Sequence, residues 1–106
     1  ILKIPAKLIN KKGAVSKEIA LLMAQNVRKL AKADFGIGIT GIAGPSGGTP
    51  QKPVGTVFIA ISSKNKNACK KFIFKGNRNS VRKQASLKAL QLLNENIYCH
   101  RITSTH

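Results

Sequence analysis

The sequence predicts an α/β domain, a mixed sheet with helices packed on it. Three observations carry this. Two stretches have apolar residues at helical spacing, one near each end of the chain. Between them lie three short apolar runs that read as strands. The first two runs are separated by a long segment rich in glycine and proline, and the last two by a short polar turn. The order is therefore helix, strand, long loop, strand, strand, helix. With 106 residues there is room for one domain and one modest core.

Residues 1–12 read as a short helix or turn. Pro5 suits a first helical position and Gly13 the residue just past the end. Ser16 reads as the N-cap of an amphipathic helix over residues 16–33. Glu18 in its first turn and Lys29 and Lys32 in its last complement the helix dipole. Its expected buried stripe is Ile19, Leu22, Met23, Val27 and Leu30.

In the first strand, residues 35–40, Phe35, Ile37 and Ile39 share one face and Gly36 and Gly38 the other. The glycine face admits a closely packed helix or a ligand. Residues 54–62 are nearly all apolar, as expected of a strand buried on both faces. Residues 69–75 form the third strand, joined to the second as an antiparallel hairpin. A turn at residues 76–80 leads to the second helix, with Asn79 or Ser80 as cap. Val81, Ala85, Ala89 and Leu92 make its apolar row. This helix is expected to end near Asn94. The domain then spans residues 1–97, followed by a disordered tail over 98–106.

The composition narrows the function classes. Nineteen Lys and Arg face three Asp and Glu, a net charge of +16. Such a chain associates non-specifically with nucleic acid at low salt. A dedicated nucleic-acid binder carries more aromatic and Arg side chains than this chain, which has no Trp and 5% aromatics. No apolar run spans a bilayer, so no membrane partner is expected. Two cysteines, Cys69 and Cys99, make no disulfide framework and fit a reducing, cytoplasmic setting. The chain opens on Ile1 rather than Met, as expected of a fragment or a processed product.

The loop over residues 40–53 is the candidate site. It holds four of the nine glycines and three of the four prolines. Glycine lets a ligand approach the main chain, while proline stiffens the bend. A bend of this kind presents free N–H groups as an anion nest. Thr40, Ser46 and Thr49 add hydroxyls, and Lys52 adds a cation. Arg78 and Arg82, four apart at the start of the last helix, suit an oxyanion. The same residues also read as a plain surface connection and two solvated arginines.

Other motifs fail on mechanism. Residues 36–41 spell GxGxxG, but the first two glycines lie inside a strand and prolines forbid a following helix. No Asp or Glu occurs from Phe35 to Asn94 to hold a ribose. The acids Glu18, Asp34 and Glu95 make no catalytic pair. No metal-ligand spacing exists, and His100 and His106 fall in the expected tail. Ser46 in Gly-Pro-Ser-Gly-Gly reads as a turn serine, since it lacks the strand-to-helix elbow of an exposed nucleophile.

Several blocks stand together in the order and spacing of one family. They are Gly13-Ala14-Val15-Ser16; Thr40-Gly41-Ile42-Ala43-Gly44-Pro45 with Gly47-Gly48-Thr49; Lys52-Pro53-Val54-Gly55-Thr56-Val57; and Gly76-Asn77-Arg78 with Val81-Arg82 and Gln84-Ala85. With them the chain resembles the CinA C-terminal domain, the competence/damage-inducible family that includes nicotinamide-nucleotide amidases. The resemblance covers residues 1–93. It implies a three-layer α/β/α fold with a mixed sheet, truncated here at the N-terminus. It implies hydrolysis of nicotinamide mononucleotide to nicotinic acid mononucleotide and ammonia, in pyridine-nucleotide recycling and without metal or organic cofactor. Thr40, Gly41, Ile42, Ala43, Gly44, Gly47, Gly48 and Thr49 would line the nucleotide pocket. Lys52, Arg78 and Arg82 would be the nearest cations.

The family's first third, with its catalytic serine and the supporting tyrosine and lysine, has no counterpart here. The nucleophile is thus expected upstream of Ile1, Thr40 is left as a candidate for catalytic support, and this chain alone is expected to be inactive. The expected partners are a nicotinamide mononucleotide-like nucleotide and further copies of the chain, as a homo-oligomer such as a dimer. Two alternatives stand beside the amidase: an inactive nucleotide-binding or scaffold remnant, and a basic nucleic-acid-binding module.

Overall fold

The computed structural model describes residues 13–104, with side chains through residue 97. The elements are α1 (Lys17–Ala31), β1 (Phe35–Gly41), β2 (Thr56–Ser63), β3 (Asn67–Ile73) and α2 (Arg78–Ser104), in the expected order. The short helix or turn expected over residues 1–12 lies outside the described residues.

The sheet has the order β1-β2-β3. Both described pairings are antiparallel, Ile39 lying opposite Ile59 and Ile59 opposite Lys70. The β2–β3 hairpin is as expected. The mixed pairing expected of the sheet is not found among the described residues. β2 is central, and Thr56, Val57, Ile59, Ala60, Ile61 and Ser62 are all buried. Alternate residues of β2 therefore feed two cores. Val57, Ile59 and Ile61 pack with Val81, Ala85, Ala89 and Leu92 of α2. Ala60 packs on the other face with Ala20 and Ala24 of α1. The result is the three-layer α/β/α arrangement.

α1 begins where expected. Ser16 Oγ accepts from the Ile19 N–H at 3.3 Å and donates to the Gly13 carbonyl at 3.0 Å. The helix ends at Ala31, capped by Lys32 in the left-handed region (φ 52°). Its buried face differs from the expected stripe. Ile19, Ala20 and Ala24 are buried, Leu22, Met23 and Val27 are half-buried, and Leu30 is 60% exposed. The cause lies in β1: a Cβ at Gly36 or Gly38 would collide with the carbonyl oxygen of Ala24 or Ala20. The helix backbone rests directly on the glycine face, so alanines, not leucines, occupy the contact.

α2 departs from expectation at both ends. Its cap is Asn77 rather than Asn79 or Ser80, with Asn77 Oδ1 accepting from the Ser80 N–H at 2.9 Å. The helix then continues to Ser104, past Asn94 and through most of the expected tail. No glycine or proline follows Gly76 to stop it. The apolar row Val81, Ala85, Ala89 and Leu92 is buried as expected.

Candidate functional site

The site forms at the end of the sheet where β1 finishes and β2 begins. The ladder first runs one step further. Ile42 N–H donates to the Thr56 carbonyl at 2.9 Å, and Gly55 N–H to the Ile42 carbonyl at 2.6 Å. The chain then leaves the sheet. Gly44 and Gly47 take φ of 88° and 98°, in the region that favours glycine, and the Gly44–Pro45 peptide is cis. A turn closes at Thr49, whose N–H donates to the Lys52 carbonyl at 2.9 Å and whose Oγ1 accepts from the Lys52 N–H at 3.0 Å. The return is pinned by Thr56, buried in the core. Its N–H and its hydroxyl both donate to the Pro53 carbonyl, at 3.0 and 2.6 Å.

Two side chains of the loop clasp it to the segment ahead of α1. Thr40 Oγ1 donates to the Ala14 carbonyl at 2.6 Å, and Lys52 Nζ to the Val15 carbonyl at 2.5 Å. On the other side, Phe74 N–H donates to the Gly55 carbonyl at 2.9 Å, and Asn77 caps α2 three residues later. The N-termini of both helices therefore converge on the end of the sheet that carries the loop. Each adds partial positive charge there.

Several expected anion donors remain available. The amides of Ala43, Gly44, Ser46, Gly47 and Gly48 make no hydrogen bond among the described residues. Other expectations change. Thr40, the candidate for catalytic support, spends its hydroxyl proton on a carbonyl, and Lys52 directs one donor inward to Val15. Arg78 and Arg82 are exposed on the first turns of α2, with no side-chain bond to the loop among the described residues. Ser46 is exposed at the bend. Among the described residues no group of His, Cys, Asp or Glu could hold a metal ion. The carbonyls of Ala14 and Val15 and the close approach at Gly55 were not foreseen. The adjacency of Gly13-Ala14-Val15-Ser16 to a cap was the one available signal, since main-chain acceptors leave no mark in composition.

The opposite end of the sheet carries a cleft of about 720 Å³. Phe35, Ile59, Ile61 and Leu92 line it, with Lys64 and Lys70 among its polar residues. None of the expected site residues falls in it. No described helix is long and apolar enough to cross a membrane.

A glycine-bent loop, set between two helix N-termini on an α/β/α sandwich, defines the class. The comparisons narrow it. Residues 1–97 match the model of the CinA C-terminal domain, and the chain belongs to that family. It is 47% identical over 93 residues to a CinA-like protein of Anaeromyxobacter dehalogenans, covering 88% of this chain and 23% of that protein. A CinA-like protein of Geotalea uraniireducens is 42% identical over 97 residues, again spanning 23% of its length. The chain thus spans less than a quarter of these curated relatives. Among solved structures, the competence damage-inducible protein A of Klebsiella pneumoniae is 32% identical. It superposes with a TM-score of 0.86 over 92% of this chain and 61% of that one. The competence/damage inducible protein CihA of Agrobacterium tumefaciens gives 0.85 at 32% identity, over 89% and 58%.

Proposed function

We propose that this chain is the nucleotide-receiving portion of a nicotinamide-nucleotide amidase. The observation that carries the reading is the set of amides at Ala43, Gly44, Ser46, Gly47 and Gly48 that make no hydrogen bond among the described residues. They lie at the sheet end that also holds both helix N-termini, in a stretch with no Asp or Glu from Phe35 to Asn94. An anionic phosphate is stabilised by such amides and by the positive ends of the helices. Arg78 and Arg82 add long-range attraction, and Lys52 rigidifies the bend as well as adding charge. The reaction converts a carboxamide and water to a carboxylate and ammonia. Its nucleophile comes from the segment of the family that this chain does not match, and loop amides would stabilise the tetrahedral oxyanion. The reading includes a cytoplasmic setting.

Isothermal titration calorimetry with nicotinamide mononucleotide, paired with an ammonia-release assay, tests it. The chain should bind the mononucleotide without turnover. Nicotinamide riboside, which lacks the phosphate, should bind at least about tenfold more weakly, roughly 1.4 kcal/mol. Equal affinity for the two would remove the phosphate from the reading. Ammonia release by the isolated chain would place the nucleophile within it. Binding that stays silent when the upstream segment is supplied would mark a binding module instead of an enzyme.

A further inference from the structure

Four consecutive carbonyls ahead of α1 each accept a hydrogen bond. Ser16 Oγ donates to Gly13, Thr40 Oγ1 to Ala14, Lys52 Nζ to Val15, and Ala20 N–H to Ser16. Two of these donors come from the loop, one from each end of it. Thr40 shares a face of β1 with Gly36 and Gly38, since alternate residues of a strand point the same way. The glycines seat the backbone of α1 at Ala20 and Ala24 on that face, and the start of the helix thereby comes within reach of Thr40. Between the two anchors lie the amides of Ala43, Gly44, Ser46, Gly47 and Gly48, which make no hydrogen bond among the described residues. Glycine leaves such a bend with wide conformational freedom, so its shape depends on how its ends are held.

We propose that Thr40 and Lys52 are positioning residues for the phosphate of the nucleotide, acting through the Ala14 and Val15 carbonyls rather than by touching the ligand. Both duties differ from those the sequence suggests, catalytic support at Thr40 and a cation nearest the phosphate at Lys52. This role rests on the nucleotide-receiving reading of the loop. The two bonds tie both ends of the glycine bend to the start of α1, so the amides are set before an anion arrives. A preset bend loses little conformational entropy on binding. With the bonds removed, the bend hangs from the Ile42–Thr56 ladder and its own turn at Thr49 and Lys52, and the anion must then order it.

Thr40→Val removes the hydroxyl while keeping a β-branched side chain suited to a strand. The bond it breaks is exposed, so water can take the place of the donor at Ala14. Isothermal titration calorimetry should show nicotinamide mononucleotide binding at least about tenfold more weakly, with the affinity for nicotinamide riboside held within about twofold. Thr40→Ser, which restores the donor, should recover the mononucleotide affinity. Lys52→Met should lose at least as much as Thr40→Val, since long-range charge goes with the bond. The double variant should then lose no more than about threefold beyond Lys52→Met, because residues that act as one clasp are not additive. Without ligand, amide order parameters from Ala43 to Gly48 should drop from roughly 0.85 to below about 0.6 in Thr40→Val. Equal losses for mononucleotide and riboside would overturn the proposal by marking a general structural role, as would failure of Thr40→Ser to recover binding. Losses that multiply in the double variant would overturn it by making Lys52 a phosphate ligand. Order parameters unmoved by Thr40→Val, or already low in the unchanged chain, would overturn the preset bend. An unchanged chain that binds neither compound would sink the nucleotide reading and the phosphate role with it, even where the order parameters uphold the clasp.

Discussion

The two faces of the sheet solve the packing problem in opposite ways. On the α1 face, glycines at positions 36 and 38 of β1 and Ala60 of β2 meet Ala20 and Ala24, so helix backbone lies against strand backbone. On the α2 face, Val57, Ile59 and Ile61 meet Val81, Ala85, Ala89 and Leu92, and large side chains hold the helix away. The close face has no slack. The far face leaves a cleft beside Leu92. Small residues thus fix position, and large ones supply buried area. The division matters for the site, because α1's seat on the glycines sets where the Ala14 and Val15 carbonyls stand to hold Thr40 and Lys52.

The contrast makes a sharp prediction at Gly38. Its Cβ would meet the Ala20 carbonyl oxygen and lie 2.8 Å from the Ala24 nitrogen. These are backbone atoms and cannot rotate aside. Gly38→Val should cost about 3 kcal/mol or more, beyond the usual range for overpacking, and so a large share of total stability. On the far face the neighbours can adjust. Leu92→Ala truncates a buried apolar side chain. It should still cost only about 2 kcal/mol, the low end for such truncations, because the rim of an open cleft relaxes inward. Urea unfolding followed by circular dichroism measures both. A larger loss for Leu92→Ala than for Gly38→Val would break the comparison.

The same contrast explains what was legible in the sequence. Glycines alternating with Phe35, Ile37 and Ile39 announced a close-packed face, since a strand turns alternate residues the same way. The row Val81, Ala85, Ala89 and Leu92 was equally plain at helical spacing. The buried side of α1 was misjudged because periodicity weights large residues. There Leu30 points outward while Ala20 and Ala24 carry the contact. Whether an alanine or a leucine wins depends on the partner strand, which no local pattern states. The α2 cap was misassigned by two or three residues, since Asn77, Asn79 and Ser80 all carry a side-chain oxygen that can accept at a cap. The loop itself was found from its glycines and prolines. The duties of Thr40 and Lys52 were not, because their partners are main-chain carbonyls brought in from a distant stretch.

The smallest expected effect probes the close face through Cys69. Its side chain is half-buried against the cluster of Ala20, Ala24 and Ala60. Burial pushes the thiol pKa up from its ordinary value, the Lys17 ammonium pulls it part of the way back, and the Glu18 carboxylate adds a small rise. A thiol with a raised folded pKa keeps its proton to higher pH than in the unfolded chain. The stability linked to it is therefore intact below the unfolded pKa and is lost as pH rises through the folded one. The thiolate is the reactive form, so alkylation of Cys69 in a Cys99→Ser background should turn on at higher pH in the folded chain than in urea. If Gly38→Val lifts α1 off the sheet without unfolding it, that midpoint should fall back toward the unfolded value, because water then reaches the thiol. A midpoint identical in folded and urea-treated chain would mean that the α1 face is open to solvent, and that close contact through small residues does not extend to β3.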